Sequence, residues 1–426
     1  MTTNIAKYLN EEDIMKALVQ NREKIATFID ELKPDYFNSN DLKIIFKVIK
    51  TYFIKYKNPP KKNILVSLLN SLSSSKTPPT TNTFQMVENL YETYEFTDDE
   101  LEYIHDQIIV FIKTRMYRDV MIEGINKIDD PESFEEINDK LRQAVLWRME
   151  ENFGTDIMKV NERYARQKEL LKDYIPFPWN DLNKVIGGGL FPKTLSTFAA
   201  ASSVGKSIAL DQTAFYVWSQ LKKNVVVISL ELSEEIKGLR IDAQFTGLKI
   251  EELVKNEDKV VDAYKTLEVD NKKLIIKEYP ASSINSIKIS HFISRLEMYT
   301  GFKPDFIIID YADLVLPNSM KRTGLYQDGG EVFEQLRGLA YEYKVPVLTA
   351  TQLGRTAIEL PPDEVNESHI SESQKKMNTC DNIIGIIATS TMRAMGQATF
   401  KTIKARNGIK DMILPKTINY SNFKFS

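Results

Sequence analysis

The spacing of hydrophobic residues divides the chain into two parts with different periods. From about residue 4 to residue 150, apolar residues recur three and four positions apart, most clearly in DLKIIFKVIKTYFIKY and ELEYIHDQIIVFIKTRMYRDVMIEGI. A helix with one buried face shows this period. We therefore predict an all-α N-terminal domain over residues 1–150.

From residue 194 onward the pattern changes to short apolar, β-branched runs separated by helical segments. The runs are TLSTFAA, NVVVISL, KLIIKEY, DFIIID, VPVLTAT and NIIGIIA. This alternation is typical of an α/β domain with a largely parallel, buried sheet. We predict such a domain over residues 176–426. The charged, amphipathic stretch DIMKVNERYARQKELLKDY predicts a linker helix within residues 151–175, which either docks on a neighbouring subunit or is simply solvated.

Length and composition narrow the class of protein. A chain of 426 residues exceeds what one hydrophobic core usually organises, so two domains are expected. A net charge of -3 argues against a uniformly basic nucleic-acid binder, although a few cations could still line a channel. The single cysteine, Cys380, excludes a multi-cysteine zinc site. With no signal peptide and no membrane-spanning stretch, we expect a cytoplasmic protein.

The segment AASSVGKS, residues 200–207, follows the run TLSTFAA and precedes the helical IALDQTAFYVWSQL. Strand, tight loop and helix in this order are the context of a phosphate-binding P-loop, in which backbone N–H groups and a helix N-terminus surround the phosphates. ATP and Mg²⁺ are the expected cofactors, with Lys206 on the β and γ phosphates and Ser207 on the metal. The full pattern has glycine where this chain has Ala200. The predicted nucleotide contacts are Ala200, Ala201, Ser202, Ser203, Val204, Gly205, Lys206 and Ser207.

Three polar residues follow buried strands, where open α/β sheets collect their ligands. Asp310 ends DFIIID and is expected to hold magnesium through water, the alternative being an acid that only caps the strand. Glu231 follows NVVVISL and is the candidate general base for the attacking water. Gln352 follows VPVLTAT and is suited to sensing the γ-phosphate, although a polar residue at a loop start is equally ordinary.

Two basic residues, Lys404 and Arg406, stand two positions apart in FKTIKARNG and share a face if this segment is a strand. An arginine supplied by a second subunit can stabilise the charge of a phosphoryl-transfer transition state. Basic residues on a strand are more often a solvated face, so these residues alone leave both interpretations open.

Together these segments resemble the DnaB family of replicative helicases, particularly the phage members of the T-even type. The resemblance is carried by FPWNDLNKVIGGGL, AAASSVGKS, SLELSEE, IIIDYADL, TATQLGR and IKARNG, and more weakly by KPDYFNSNDLKIIFKVIKTYFIKYKNPP. It implies a RecA-like P-loop NTPase motor domain beside the all-α N-terminal domain. It further implies that Glu231, Asp310 and Gln352 act in their own subunit's site and that Lys404 and Arg406 reach a neighbour's nucleotide.

The function implied by the resemblance is ATP-driven translocation on single-stranded DNA with unwinding of duplex DNA by a homohexameric ring, with primase and a helicase loader as partners. The alternative is a RecA-type or clock-type P-loop ATPase that binds DNA or assembles without unwinding. A scaffold with a decayed site is disfavoured because every predicted catalytic residue is present.

Two long polar loops, residues 317–330 and 354–376, follow sheet strands and could line a DNA channel. Tracking a DNA backbone requires only positive and amide donors, because phosphates carry no sequence information. Acidic residues in the second loop argue against a simple basic clamp. The candidate DNA contacts are Lys321, Arg322, Arg355 and Lys375.

Overall fold

The computed structural model describes residues 10–74, 78–92, 96–130, 133–147, 154–318, 325–370 and 374–426. It divides the chain into two compact units, Met1–Thr155 and Asp156–Ser426. Among the described residues, no helix is both long enough and apolar enough to cross a membrane.

The described residues of the first unit form helices without strands. The helices are α1 (Glu11–Gln20), α2 (Arg22–Phe28), α3 (Asn40–Tyr56), α4 (Lys62–Asn70), α5 (Thr81–Leu90), α6 (Asp98–Asn126) and α7 (Phe134–Leu146). Capping side chains define where several of these helices begin. Asn21 accepts hydrogen bonds from the backbone N–H groups of Glu23 and Lys24 at the start of α2. Thr97 and Glu100 form a reciprocal capping box at the start of α6. One hydrophobic core is buried between these helices.

The second unit alternates helices and strands around one sheet. Its helices are α8 (Val160–Lys172), α9 (Asn180–Val185), α10 (Lys206–Ser219), α11 (Glu234–Thr246), α12 (Ile250–Leu253), α13 (Glu257–Lys265), α14 (Ser286–Thr300), α15 (Leu325–Tyr343), α16 (Gln374–Thr379) and α17 (Ser390–Ala394). Its strands are β1 (Leu195–Ala200), β2 (Val225–Ser229), β3 (Leu274–Glu278), β4 (Phe306–Asp310), β5 (Val347–Gln352), β6 (Asn382–Ile387), β7 (Gln397–Ala405), β8 (Ile413–Asn419) and β9 (Lys424–Phe425).

The strand order is β3-β2-β4-β5-β1-β6-β7-β8-β9, with β1 to β6 parallel and β7 to β9 antiparallel. Alternate residues of the central strands enter two cores: Val225 and Val227 on one face, Val226 and Ile228 on the other. Helices cover both faces of a parallel sheet of this kind, which is why its strands read as continuous apolar runs. The predicted α/β fold with an all-α N-terminal region is confirmed.

Two sequence expectations need adjustment in this part of the chain. The antiparallel β8 and β9 were not predicted, and they extend the sheet beyond the parallel strands. Within the predicted linker, helix α8 covers Val160–Lys172 and belongs to the second unit. Its docking on a neighbouring subunit stays a prediction.

Candidate active site

The loop between β1 and α10 has the backbone shape that a phosphate loop requires. Gly205 has φ 115° and ψ 21°, and Ser203 has φ 61°. These left-handed conformations turn the chain sharply into the helix, and glycine adopts them without steric cost. A Cβ atom at Gly205 would also lie 2.8 Å from Cζ of Phe425 and 3.0 Å from Cδ1 of Ile418. Strands β8 and β9 therefore pack directly behind the loop.

The loop and β1 expose only part of the predicted nucleotide contacts. Ala200, Ala201, Val204 and Gly205 are buried, whereas Ser202 and Ser203 are exposed. The loop therefore exposes its two serines to solvent, while its apolar side chains face the protein interior.

Lys206 is the first residue of α10, and its side chain is 9% exposed. Its Nζ donates to the carbonyl oxygens of Ala201 at 3.2 Å and Ala200 at 3.4 Å. Burial lowers the pKa of Lys206, while the carboxylates of Glu231 and Asp310 oppose that shift. The ammonium thus lies at the start of the helix, close to the predicted general base, Glu231, and the predicted metal ligand, Asp310.

The sheet brings the predicted cis-site residues to one edge. Strands β2, β4, β5 and β1 are consecutive neighbours and parallel, so their carboxyl ends lie side by side. In the register, Asp310 is opposite Ser229, two residues before Glu231, and Gln352 is opposite Ala200, where the loop begins. Glu231 and Gln352 are both exposed at this edge. No described residue forms an ion pair with Glu231, which leaves its carboxylate available to a water molecule.

Ser207 and Asp310 suit a magnesium ion. Oγ of Ser207 donates to Oδ1 of Asp310 at 3.2 Å, and Asp310 is fully buried. A hydroxyl and a carboxylate are hard oxygen donors, and Mg²⁺ in nucleotide sites takes few protein ligands because phosphates and water supply the rest. The residues present therefore fit the ion.

Lys404 and Arg406 lie at the opposite edge of the sheet from the phosphate loop. The backbone N–H of Arg406 donates to the carbonyl of Asp381, whose own N–H donates to the carbonyl of Leu195, the first residue of β1. The loop follows Ala200, about 16 Å further along that strand. This distance exceeds the reach of an arginine or lysine side chain.

The two basic side chains are tethered by groups of the same chain. Nη1 of Arg406 lies 2.5 Å from Oδ1 of Asp381, which also pairs with Arg337 at 3.3 Å. Nζ of Lys404 donates to the carbonyl of Met377, and burial lowers the pKa of this lysine. The condition for a shared strand face is met only in part, because β7 includes Lys404 but ends at Ala405, directly before Arg406. The guanidinium of Arg406 is still more than half exposed.

The segment IKARNG also has a packing role that sequence reasoning missed. The N–H of Ile409 donates to the carbonyl of Val185 at 2.7 Å, in the segment that leads to β1. A Cβ atom at Gly408 would collide with the backbone of Val185 and Ile186. Only glycine permits this approach, so the two segments hold each other in position.

Two charge networks were also missed, and the first of them is fully buried. Lys237 of α11 lies between Asp211 of α10 and Asp310, and all three are at most 1% exposed. At the end of the neighbouring strand, Asp313 accepts from the N–H of Gln352 at 2.9 Å and pairs with Lys376 at 2.8 Å. The sequence signal was weak, since charged residues on amphipathic helices are normally solvated.

The second network fixes the position of the predicted sensor. Asp313 binds the backbone of Gln352 and the hydroxyl of Thr351, and Lys376 reaches it from α16, at the end of the second predicted DNA loop. The carboxylate of Asp313 therefore contacts both the end of β5, at Gln352, and the end of the second predicted DNA loop, at Lys376.

The candidate DNA contacts are only partly described. Lys321 and Arg322 lie outside the described residues. The backbone of Arg355 is in a short 3₁₀ turn, Arg355–Ala357, and its side chain is also outside the description. Lys375 is exposed at the start of α16.

Two acids of the second loop, Glu359 and Glu367, have partners within the same chain. Glu359 accepts from the N–H of Ser390 at 3.0 Å, at the start of α17, and lies 3.7 Å from Arg393. Glu367 pairs with Lys410 at 2.6 Å. These carboxylates anchor the loop, so they count less against a DNA role than the sequence alone suggested.

A glycine-containing loop between a buried strand and a helix, with two carboxylates and an amide at the ends of adjacent parallel strands, defines a RecA-like P-loop ATPase. The family model of the DnaB-like helicase C-terminal domain matches residues 175–423. The chain belongs to the DnaB-like helicase family. Family membership makes it an ATP-dependent DNA helicase of the replicative type.

Individual relatives agree with this family. A DnaB-like replicative helicase of Enterobacteria phage T4 is 25% identical over 422 residues, covering 94% of this chain and 86% of the phage protein. The replicative DNA helicase DnaB of Geobacillus stearothermophilus is 27% identical over 206 residues, covering 47% of this chain and 44% of that protein.

Solved structures share the fold. A DnaB-like replicative helicase, described together with its interactions with primase, matches with a TM-score of 0.59 at 13% identity over 98% of this chain and 99% of that chain. A solved ATPase domain matches with a TM-score of 0.53 at 16% identity over 63% of this chain and 99% of that chain.

Proposed function

We propose that the chain is one subunit of a homohexameric ring that hydrolyses ATP between subunits, moves along single-stranded DNA and displaces the complementary strand. The observation that carries this proposal is the separation of the phosphate loop from Lys404 and Arg406 by the length of β1. Neither basic side chain reaches a nucleotide bound by its own subunit. A head-to-tail neighbour can bring the pair of one chain to the loop of the next, and such contacts close into rings.

In the proposed reaction each cis residue has a separate task. The N–H groups of the loop, residues 200–207, and the ammonium of Lys206 bind the phosphates, exchanging the present contacts of Nζ with two carbonyls for phosphate oxygens. Glu231 accepts a proton from the attacking water. Gln352 donates to the γ-phosphate, and its backbone is held by Asp313. Lys404 and Arg406 of the neighbour stabilise the charge that develops on the transferred group.

Ser207 and Asp310 would hold Mg²⁺ together with the nucleotide. When bound, the ion neutralises charge on the β and γ phosphates. The proposal for these two residues is supported by the 3.2 Å contact between their oxygens and by the burial of Asp310.

We further propose that the two loops after β4 and β5 contact single-stranded DNA, through Lys321, Arg322, Arg355 and Lys375. The shared carboxylate of Asp313 supports a link between the second loop and the sensor strand. The interactions of the structural relative with primase support a primase as a partner, and a loader is a further candidate. Similarity to a phage protein supports action in a host cytoplasm.

The deciding experiment is unwinding of a forked DNA duplex by the full-length protein with ATP and Mg²⁺, together with its mass in the presence of nucleotide. We expect a hexamer that separates the strands. Arg406→Ala should bind nucleotide like the unaltered protein but lose unwinding and most ATP hydrolysis. Lys265→Ala, which removes an exposed lysine paired only with Asp262 in the described structure, is the matched control and should retain both activities.

Two results would contradict the proposal. Full ATP hydrolysis by Arg406→Ala would rule out a shared site. DNA-stimulated hydrolysis without strand separation, by an assembly that forms filaments, would favour the RecA-type alternative.

A further inference from the structure

Three charged side chains form a buried cluster beneath the phosphate loop. Asp211 comes from α10, Lys237 from α11 and Asp310 from the end of β4, and none is more than 1% exposed. Nζ of Lys237 lies 2.5 Å from Oδ1 of Asp211 and 2.7 Å from Oδ2 of Asp310. The cluster thus ties the helix that follows the loop, the helix that follows Glu231 and the strand that ends in the metal-binding aspartate.

Burial of three charges is costly unless each one is paired. Nζ of Lys237 contacts one oxygen of each carboxylate, so every charge in the cluster has a partner of opposite sign.

The two oxygens of Asp310 have different surroundings. Oδ1 accepts from the hydroxyl of Ser207 at 3.2 Å, on the side of the nucleotide. Oδ2 is buried and forms no hydrogen bond of regular geometry with any described residue. Its polar contact among these residues is the ion pair with Nζ of Lys237. The contact of Oδ2 with Lys237 restrains rotation of the carboxylate and favours the orientation in which Oδ1 faces Ser207.

We propose that Lys237 is a positioning residue for the metal site: it holds Oδ2 of Asp310 so that Oδ1 is presented to Ser207 and the nucleotide-bound magnesium, and Asp211 holds Lys237 in turn. This inference rests on the proposed role of Asp310 in binding Mg²⁺. Removing a partner that orients a metal ligand commonly lowers metal affinity by about 10- to 100-fold.

The test must separate positioning from simple burial of charge. Lys237→Met alone would leave two buried carboxylates facing each other and could prevent folding. Two double variants avoid this, Asp211→Asn with Lys237→Met and Asp211→Asn with Lys237→Gln, because both keep the single net negative charge of the cluster. They differ in one respect: glutamine can donate an N–H to Oδ2 of Asp310, and methionine cannot.

The measurement is Mn²⁺ binding to the full-length protein in saturating ADP, followed by electron paramagnetic resonance, with fluorescent ADP binding in EDTA as the companion readout. We expect the methionine variant to bind Mn²⁺ about ten-fold or more weakly and the glutamine variant to stay within about three-fold of the unaltered protein. Binding of ADP without metal should not change in either. Lys416→Met, which removes another buried lysine paired with an aspartate, Asp181, is the control and should leave Mn²⁺ binding unchanged.

Equal Mn²⁺ affinity in the folded methionine variant and the unaltered protein would overturn the positioning role. Equal losses in both double variants would overturn it too, since packing rather than donation would then matter. If the methionine variant does not fold, the glutamine variant decides alone: affinity within about three-fold supports the proposal, and a ten-fold loss refutes it. Asp310→Asn tests the metal role of Asp310 separately from the positioning role of Lys237. Unchanged Mn²⁺ binding in this variant would refute the metal role of Asp310 itself.

Discussion

Replacing Gly205 with alanine probes how tightly the C-terminal strands support the phosphate loop. The backbone at Gly205, with φ 115°, is one that residues with a side chain rarely adopt, and forcing it costs about 1–3 kcal/mol. The added Cβ would also lie 2.8 Å from Cζ of Phe425, and overpacking of this kind costs about 1–3 kcal/mol. We expect Gly205→Ala to lower the stability of the second unit by about 2–6 kcal/mol.

Differential scanning calorimetry of the full-length protein measures this loss, because it can resolve the unfolding of the two units. For a unit of this size the midpoint should fall by about 5 °C or more. Gly338→Ala is the matched control: Gly338 lies in α15, and a Cβ there meets nothing within 4 Å. Since alanine is the better helix former, the control should gain about 0.5–1 kcal/mol.

The steric part of the loss can be tested separately. Phe425→Leu removes the ring atoms of Phe425 that the new Cβ would meet, so it should cost less in the Gly205→Ala background than in the unaltered protein. If the Gly205→Ala protein unfolds at the same midpoint temperature as the unaltered protein while the control behaves as expected, the loop does not pack against Phe425 as described.

Three further predictions concern other parts of the chain. Asp381→Ala should destabilise the second unit by about 3 kcal/mol in urea unfolding, because Arg337 loses its carboxylate partner and the backbone N–H of Leu195 loses its buried acceptor; a loss under about 1 kcal/mol would contradict this. Cys380 is buried and burial raises the pKa of its thiol, so Ellman's reagent should react with it only after unfolding, and fast reaction of the native protein would refute the burial. Asn21→Ala removes the cap of α2 and should cost the first unit about 1 kcal/mol, measured by helical circular dichroism during urea unfolding, while no change would mean that the cap is not formed.

The sequence predicted the parallel part of the sheet because each of those strands is a continuous apolar run. A parallel sheet collects the residues that follow its strands at one edge, so the positions of Asp310 and Glu231 alone predicted their cis roles. The family resemblance added the sensor role of Gln352 and the trans roles of Lys404 and Arg406, which chemistry left open.

What sequence reasoning missed depends on contacts between distant segments. Lys237 looked like a solvated helix residue, since nothing in α11 shows that two carboxylates from other elements meet it. Strand β8 carries Pro415 and alternates buried with exposed residues, a weak pattern beside the buried runs. The contact between Phe425 and Gly205 joins opposite ends of the second unit's sequence and leaves no local signature.

Because the phosphate loop and Arg406 lie at opposite edges of the sheet, each subunit carries the two halves of a shared site on two different sides. On the proposed arrangement, a defect at Arg406 disables the site of the neighbour and leaves the subunit's own site intact. In an open row of subunits, the phosphate loop at one end and the basic pair at the other end have no partner. Only a closed ring has as many complete sites as chains. A minority of Arg406→Ala chains mixed into rings should therefore inactivate sites on unaltered chains, so that activity falls faster than the altered fraction rises.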